Sequence, residues 1–293
     1  MDKYLIINAD DFGMCHSANV AVSELLKAGK ISSGTIMAPC AWAKEAVDFA
    51  KENPELCVGV HLTTTNEWGG YRWRPLTGGK SLLDGEGYMH HESDEFEKAA
   101  DLEETRAEVR AQIDHLKHLG LNPSHLDNHM GSLYGIETGR VEMAQLLITT
   151  AAEYGLPVRF PTKFTDAQFE NDMLAIHIDK AMVEQFIASF AQLGQSLGVA
   201  MPDYLIPNDW AGPQNDSYEN FREYVFALYA SFEPGVTETY MHPAVESEEL
   251  KTITGAWNRR VWEYKLLSDP KTHQYIKDCG IKMITYRDLA KMR

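Results

Sequence analysis

The sequence has few cysteines and no long apolar run, and each absence excludes a class of protein. Its four cysteines, Cys15, Cys40, Cys57 and Cys279, show no CxxC spacing, so we interpret them as reduced cytosolic thiols. No stretch of about 18 consecutive apolar residues occurs, which argues against a membrane span. Residues 1–7 lack the basic and long apolar regions of a signal peptide. We therefore expect a cytoplasmic protein.

Positive charge is also scarce. Lys and Arg number 27 against 43 Asp and Glu, so the formal net charge is −16. Such a surface repels nucleic acid and anionic lipid, and we expect neither as a partner. A neutral or locally neutralised substrate fits better than a polyanion. We find no internal repeat, low-complexity tract or linker, and 293 residues suffice for one large α/β domain or two smaller ones.

Strand-like and helix-like segments alternate along the chain. Short apolar runs predict strands, and apolar residues at helical spacing predict helices. The predicted strands cover residues 4–8, 34–38, 56–62, 124–129, 157–160, 204–206, 236–241 and 281–285. The predicted helices cover residues 16–27, 42–52, 94–119 (one helix or two), 137–154, 180–197, 218–231 and 257–267.

This alternation of about eight strands with helices predicts an α/β fold with a parallel sheet. A closed or nearly closed (β/α) barrel is the first expectation, and an open doubly wound sheet is the second. Both folds place their sites at the carboxyl ends of the strands. We expect one catalytic barrel domain over residues 1–293, with a loop rich in aromatic residues and arginine inserted at about residues 63–93.

Two adjacent acids follow the first predicted strand. Asp10 and Asp11 would point to opposite faces of an extended chain, so they share a site only if the chain turns, and Gly13 favours a turn. One carboxylate could then bind a metal ion while the other acts as a general base. The alternative is an acidic turn that caps the next helix.

Histidines lie at the ends of two further strands. His61 ends the third predicted strand, and His125, Asp127 and His129 occupy alternate positions that share one face. One carboxylate and two imidazoles form a common hydrolytic metal site. Asp11, His61 and His125 would supply it. Asp127 and His129 would then support the site by orienting ligands or moving protons.

These ligands predict one divalent metal ion as the cofactor. Zinc, iron, cobalt and manganese suit two imidazoles and a carboxylate, and magnesium suits them less well. Metal-bound water has a lowered pKa and can attack a carbonyl at neutral pH. Another histidine, His242, ends a late strand and could protonate a leaving amine, although it could also be a turn residue before Pro243.

Four motifs together resemble the signature of the YdjC-like family, which includes chitooligosaccharide deacetylases. They are NADDFG (8–13), GVHL (59–62), HLDNH (125–129) and HPA (242–244), in the right order over nearly the full length. The third motif is less rich in histidine than in many members. The resemblance implies a distorted (β/α) barrel related to polysaccharide deacetylases.

The resemblance also implies roles for individual residues. A divalent metal would lie on Asp11, His61 and His125, with Asp10 as general base and His242 as general acid. The implied reaction removes an N-acetyl group from an N-acetylglucosamine unit of a short oligosaccharide, in free or phosphorylated form. A small oligosaccharide is thus the expected partner, and a monomer and a homodimer both remain open.

The inserted loop suggests a sugar ligand independently. Trp68, Tyr71 and Trp73 could pack on sugar rings, and Arg72 and Arg74 could hold a phosphate or acidic group through paired hydrogen bonds. An aromatic lid that plugs the barrel, or a dimer contact, is the alternative.

Two other functions remain open at this stage. One is hydrolysis or isomerisation of a phosphorylated disaccharide such as cellobiose phosphate. The other is a non-catalytic sugar sensor on an enzyme fold, which fold alone does not exclude. A sensor, however, has no need of an acid pair beside three metal ligands.

Overall fold

The computed structural model describes residues 2–170 and 180–293, and a curled parallel sheet lies at its centre. Every pairing between its strands is parallel. The described residues form seven strands: β1 (Lys3–Phe12), β2 (Ser33–Ile36), β3 (Val58–Leu62), β4 (Leu126–Asn128), β5 (Tyr204–Leu205), β6 (Gly235–Met241) and β7 (Ile281–Met283).

The strand β1 is the centre of this sheet. The order is β4-β3-β2-β1-β6-β5, and β7 pairs with the first residues of β1. All residues of β1 from Leu5 to Phe12 are buried, as expected for a strand of a parallel sheet that is covered on both faces. Because all strands run in the same direction, their carboxyl ends form one rim.

The segment 157–160 lies between β4 and the stretch of chain that leads into β5. The backbone N–H of Arg159 donates to the carbonyl of Leu126 at 2.9 Å, and that of Val158 donates to the carbonyl of Ala200 at 3.0 Å. The predicted strand here is reduced to one β-bridge between Leu126 and Val158. The parallel sheet is curled into a half-barrel with helices around it, so the expected distorted (β/α) barrel is confirmed.

Helices cover the outside of the barrel. Among the described helices, none combines the length and the apolar character needed to cross a membrane. The described α-helices are α1 (His16–Lys27), α2 (Ala43–Glu52), α3 (Ser93–Ala99), α4 (Leu102–Leu119), α5 (Val141–Tyr154), α6 (Asp166–Glu170), α7 (Lys180–Ser196), α8 (Tyr218–Ser231), α9 (Glu248–Ile253), α10 (Trp257–Ser268), α11 (Pro270–Asp278) and α12 (Tyr286–Met292).

The helical region predicted at residues 94–119 divides into two helices at Asp101. The Asp101 side chain accepts hydrogen bonds from the backbone N–H groups of Glu103 and Glu104, and so caps α4. The apolar face of α4, which includes Val109 and Ile113, packs in the main core. The sequence missed α6, α9, α11 and α12, because helices this short show only about one to two and a half turns of apolar spacing.

The inserted loop at residues 63–93 has a defined fold. It contains a 3-10 helix at Lys80–Leu82, and the backbone N–H of Asn66 donates to the carbonyl of His90 at 2.8 Å. Trp73 is buried in a second apolar cluster that also contains Met14 of the segment between β1 and α1. The loop is therefore packed onto the rim where the strands end.

Candidate metal centre and active site

A bulge at the end of β1 turns two adjacent carboxylates to the same cavity. The pairing of β1 with β2 shifts register between Ala9 and Phe12, and Asp11 has a positive φ of 61°. Bulges of this kind re-aim side chains beside active sites. Asp10 and Asp11 are both buried and both line the cavity. The turn expected near Gly13 thus begins at Asp11.

Asp11, His61 and His129 bring three ligand atoms together. Asp11 Oδ1 lies 3.5 Å from His61 Nε2 and 3.4 Å from His129 Nδ1, and the two ring nitrogens are 3.3 Å apart. Asp11 Oδ1 is buried and accepts no hydrogen bond of normal geometry from the described residues. A buried carboxylate oxygen facing two ring nitrogens fits a divalent metal ion with two imidazole ligands and one carboxylate.

Each of these three side chains is held by a second charged group. His61 Nδ1 lies 2.7 Å from Asp127 Oδ1, and His129 Nε2 lies 2.9 Å from Glu67 Oε2. Arg260 donates to Asp11 Oδ2 at 2.7 Å, which leaves Oδ1 directed at the imidazoles. Partners of this type fix the orientation of metal ligands. Asp127 thus contacts His61, and its supporting role stays a prediction.

The electrostatics of this cluster favour a cation. Burial lowers the pKa of His61, but the charges of Asp127 and Asp10 outweigh it and raise the pKa to about 10. Burial likewise opposes protonation of His129, yet Glu67 and Asp11 raise its pKa to about 9. Without a metal ion the imidazoles therefore hold protons, and a metal ion would have to displace them.

Asp10 is fixed next to this cluster by a buried arginine. Arg159 Nη1 donates to Asp10 Oδ2 and Nη2 to Oδ1, both at 2.7 Å, and Asn8 Nδ2 donates to Oδ1 at 2.7 Å. The Oδ2 atom lies 4.0 Å from His61 Nε2. A second set of possible ligands, Asp10 with His61 and Asp127, shares this region. The set of Asp11, His61 and His129 offers the freer carboxylate, because Asp10 already accepts hydrogen bonds from Arg159 and Asn8.

His242 lines the same cavity from the end of β6. Burial lowers the pKa of this imidazole, although the charge of Asp11 opposes the shift. Its Nδ1 atom is buried and has no hydrogen-bond partner in the part of the chain that the structure describes. The side chain is about 15 % exposed, so it can meet a ligand. His242 thus lies at the rim, and its role as a proton donor stays a prediction.

His125 does not join the cluster, and this corrects its expected place as a ligand. Its ring stacks on Tyr286 with centroids 3.7 Å apart, and its Nδ1 lies 2.9 Å from Ser124 Oγ. Burial lowers its pKa to about 3. The physical reason is its position along the strand: His125 precedes Asp127 by two residues, so it lies about 7 Å further from the rim where the strands end. His129, in the turn that follows β4, takes its place at the rim.

The prediction for the inserted loop also needs correction. Five loop residues are predicted to contact the ligand, but only Trp68 lines the cavity. Trp73 is buried, and its indole N–H donates to the carbonyl of Thr65 at 3.0 Å. Tyr71 donates from its hydroxyl to the carbonyl of Met14.

The two loop arginines do not reach the cavity either. Arg72 bonds to Asp84 at 2.7 Å, to Asn66 at 2.6 Å and to the carbonyl of Met89 at 2.7 Å, so its guanidinium holds the loop together. Arg74 is exposed and is absent from the cavity lining. Tyr71 and Trp73 likewise stabilise the fold of the loop and do not line the cavity.

Sequence reasoning missed three charged residues of the site. Arg159 lies within an apolar predicted strand, and a buried charge there should have signalled carboxylate partners. Glu67 belongs to the loop, and Arg260 follows Asp11 by 249 residues. No local pattern marks either of these two, because each acts through a contact made only in the folded chain.

The clustered groups open onto a cavity of about 840 Å³ at the carboxyl ends of the strands. The fold and the site define an α/β-barrel protein with a carboxylate–imidazole site that could hold a metal ion. Comparison with known proteins identifies the family within this class. The family model of the YdjC-like proteins matches residues 4–278, and the chain belongs to that family. The resemblance deduced from the four motifs is thereby confirmed.

Relatives cover almost the whole chain. A carbohydrate deacetylase of Thermoanaerobacter pseudethanolicus is 27% identical over 287 residues, which span 97% of this chain and 98% of the relative. A carbohydrate deacetylase of Brevibacillus brevis is 29% identical over 293 residues, 98% of this chain and 99% of the relative. A crystal structure from Enterococcus faecalis, described as a proposed cellobiose-phosphate cleavage protein, is 26% identical with a TM-score of 0.76 and 99% coverage of both chains.

Proposed function

We propose that the protein is a metal-dependent carbohydrate deacetylase. It would remove an N-acetyl group from an N-acetylglucosamine unit of a short oligosaccharide. The observation that carries the proposal is the arrangement of Asp11, His61 and His129 around one point, with Asp10 held beside them. The carbohydrate deacetylases among the relatives support the same reaction class.

The metal ligands in this proposal are Asp11, His61 and His129. Zinc, iron, cobalt and manganese suit this donor set, and magnesium suits it less well. When bound, such an ion supplies Lewis-acid chemistry to a hydrolysis. Arg260 keeps the Asp11 carboxylate ionised: burial alone would raise the pKa of Asp11, but the guanidinium holds it well below its usual range.

Asp10 is the proposed general base. Its two oxygens accept hydrogen bonds from Arg159 and Asn8, which prevent the carboxylate from rotating. Oδ1 accepts two of these bonds and Oδ2 accepts one, so Oδ2 keeps a second lone pair with which Asp10 can accept a proton from the attacking water. The amide C–N bond then breaks, the acyl carbon keeps the hydroxyl of the water, and the nitrogen gains a proton.

His242 is the proposed donor of that proton. Because burial lowers the pKa of His242, its imidazolium form is a stronger acid than an exposed histidine. A proton that reaches this imidazole is therefore readily passed to the leaving nitrogen. Trp210, whose ring centroid lies 5.2 Å from that of His242, restrains the imidazole from the side.

Acetate release from short N-acetylated oligosaccharides tests the proposal. We expect a chelator to abolish activity and added divalent metal to restore it. Asp10→Asn should lower kcat by about 10²–10⁴-fold, the usual contribution of a general base, while metal content stays unchanged. Acetate release that survives complete metal removal, or full activity of Asp10→Asn, would overturn the proposal.

A reaction on a phosphorylated disaccharide is the second candidate. It is favoured by the description of the Enterococcus faecalis relative as a proposed cellobiose-phosphate cleavage protein. Turnover of cellobiose phosphate, which carries no acetyl group, would support this candidate over the deacetylase.

A further inference from the structure

The cavity has a second wall that is unlike the acid–histidine cluster. Met130, Tyr134, Phe160, Val183 and Phe186 line it, and we refer to these five side chains as the apolar wall. The Phe160 ring contacts Tyr134 at a centroid distance of 5.6 Å and Phe186 at 6.3 Å. The apolar wall is therefore a packed layer contributed by three separate parts of the fold, not a scatter of exposed side chains.

Met130 connects the apolar wall to the proposed metal centre. It directly follows His129, has a positive φ of 53°, and is 38 % exposed although it is a large apolar residue. A methionine in the left-handed region is strained, and such strain clusters at functional sites. The turn that brings His129 to the metal centre thus directs Met130 into the same cavity, and a methionine side chain adapts to apolar ligands.

Among the described residues, the cavity offers an anionic group no lysine or arginine that is free of a carboxylate partner. Among the described residues that line it, the lysines and arginines are Arg159 and Arg260 alone. Arg159 is held by Asp10 and Glu238, and Arg260 by Asp11. Residues 171–179, outside the described ranges, contain no lysine or arginine in the sequence.

We propose that the cavity binds a neutral sugar carrying an apolar substituent and that this substituent lies against the apolar wall. This inference rests on the proposed deacetylase function and names its substrate class. The substituent is either an N-acyl group longer than acetyl or an apolar group elsewhere on the sugar. A phosphate would lose its hydration against phenylalanine and methionine side chains while both arginines remain held by carboxylates.

Two substrate series distinguish the two sources of the substituent. In the first series, glucosamine carries N-acetyl, N-propanoyl, N-butanoyl or N-hexanoyl groups. In the second, methyl, butyl or hexyl glycosides of N-acetylglucosamine vary the other end. Hydrolysis releases the matching carboxylic acid and the free amine, so an amine-reactive dye measures every substrate alike. N-acetylglucosamine 6-phosphate is the anionic comparison.

We expect kcat/KM to rise in one series by roughly fourfold for each added methylene that reaches the apolar wall. The phosphorylated sugar should be the poorer substrate beside its neutral counterpart. Phe186→Ala should flatten the rise with chain length. Phe190→Ala is the matched control for lost packing, because Phe190 lies on the same helix and contacts Phe186 at 4.7 Å and Phe160 at 5.6 Å but does not line the cavity. Thermal unfolding of both variants checks that each is folded.

The outcomes separate this inference from the function on which it rests. Turnover of N-acetyl sugars with no rise in either series, or a preference for the phosphorylated sugar, overturns the inference alone. A rise that Phe186→Ala and Phe190→Ala reduce equally also contradicts it. Absence of turnover for every N-acyl sugar of the two series, together with absence of acetate release from short N-acetylated oligosaccharides, overturns the proposed deacetylase function, and the inference falls with it.

Discussion

Asp11 adopts a backbone conformation that most side chains avoid. A residue with a Cβ atom loses on the order of 1–2 kcal/mol in the left-handed region, although aspartate tolerates it better than most. The strained turn lets adjacent carboxylates face the same cavity, where Asp11 meets Arg260 and Asp10 meets Arg159. The two salt bridges leave the carboxylates in different states. Asp11 keeps one oxygen free of hydrogen bonds, whereas both oxygens of Asp10 accept hydrogen bonds from Arg159.

We predict that His129, and not His125, controls metal binding. His129→Ala should weaken metal affinity by more than about 100-fold, because loss of a partner outside the ligand set alone costs roughly 10–100-fold. His125→Phe should retain the metal, since a phenyl ring can still stack on Tyr286. Metal content after dialysis, measured by elemental mass spectrometry, and competition with a chelating dye test both variants.

Circular dichroism of the two histidine variants serves as the control for folding. Loss of metal from a folded His125→Phe protein, with metal retained by His129→Ala, would restore the ligand set expected from the sequence. Loss of metal from both variants would mean that His125 supports the metal site indirectly, by holding β4 in position.

At the scale of the element, the contact between β3 and β4 depends on Gly59. A Cβ atom built there would lie 2.6 Å from the His125 carbonyl oxygen and 2.6 Å from its Nδ1. The carbonyl belongs to the backbone and cannot rotate away. Gly59→Ala should therefore destabilise the protein by about 1–3 kcal/mol through overpacking, measured as a lower urea midpoint.

Gly85→Ala is the matched control for this substitution. Gly85 is exposed, and no atom lies within 4 Å of a Cβ atom built there. Its effect should stay within about 0.5 kcal/mol. Equal stability of the two alanine variants would show that β3 and β4 can separate without loss.

The inserted loop depends on Arg72 for its fold. Arg72→Met removes hydrogen bonds to Asp84, Asn66 and the Met89 carbonyl, so the loop should open more often. We expect chymotrypsin to cleave within residues 63–93 about tenfold faster, as for the loss of about 1.4 kcal/mol of local stability. Arg74→Met, at an exposed neighbouring site, should cleave at the rate of the unmodified protein.

A different result would reassign these arginines. Arg74→Met could instead weaken binding of a phosphorylated sugar selectively while the loop stays resistant to cleavage. That result would show that Arg74 binds the phosphate, as the sequence predicts. Equal cleavage rates for Arg72→Met and Arg74→Met would mean that other contacts hold the loop.

At the scale of the whole molecule, buried histidines should make the metal-free protein lose stability as the pH rises above 6.5. The pKa values of His61 and His129, about 10 and about 9, lie above the ordinary 6.5. Their contribution is complete below pH 6.5 and is lost as the pH rises through 9 and 10. His125, whose pKa is lowered to about 3, acts in the opposite direction and destabilises the fold as the pH falls below 6.5.

Urea unfolding at pH 5.5, 6.5 and 8.5 tests this dependence. With chelator present, stability should fall from pH 6.5 to 8.5 by up to about 4 kcal/mol, because each of the two imidazoles loses about 2 kcal/mol over this range at up to about 1.4 kcal/mol per pH unit. Bound metal replaces the two protons, so the alkaline loss should vanish in the loaded protein. A chelated protein that is as stable at pH 8.5 as at pH 6.5 would contradict the assigned pKa directions.

Much of the architecture follows from local patterns. Alternating apolar runs and helical spacing predicted the strands and the longer helices, because side-chain periodicity is a property of consecutive residues. The bounds of α1 and α8 agree with the prediction to the residue. The segment at 157–160 was overestimated, since Pro157 cannot donate a backbone hydrogen bond to a neighbouring strand.

The sequence by itself determined the α/β class, the family and the polar rim at Asp10, Asp11 and His61. These depend on short motifs and on the rule that parallel strands end at the same edge. Only the tertiary structure decided the depth of each histidine along β4 and the arginine that each carboxylate meets. Alternation shows which face a side chain shares but not how far along the barrel it lies, and partners such as Arg260 are distant in sequence.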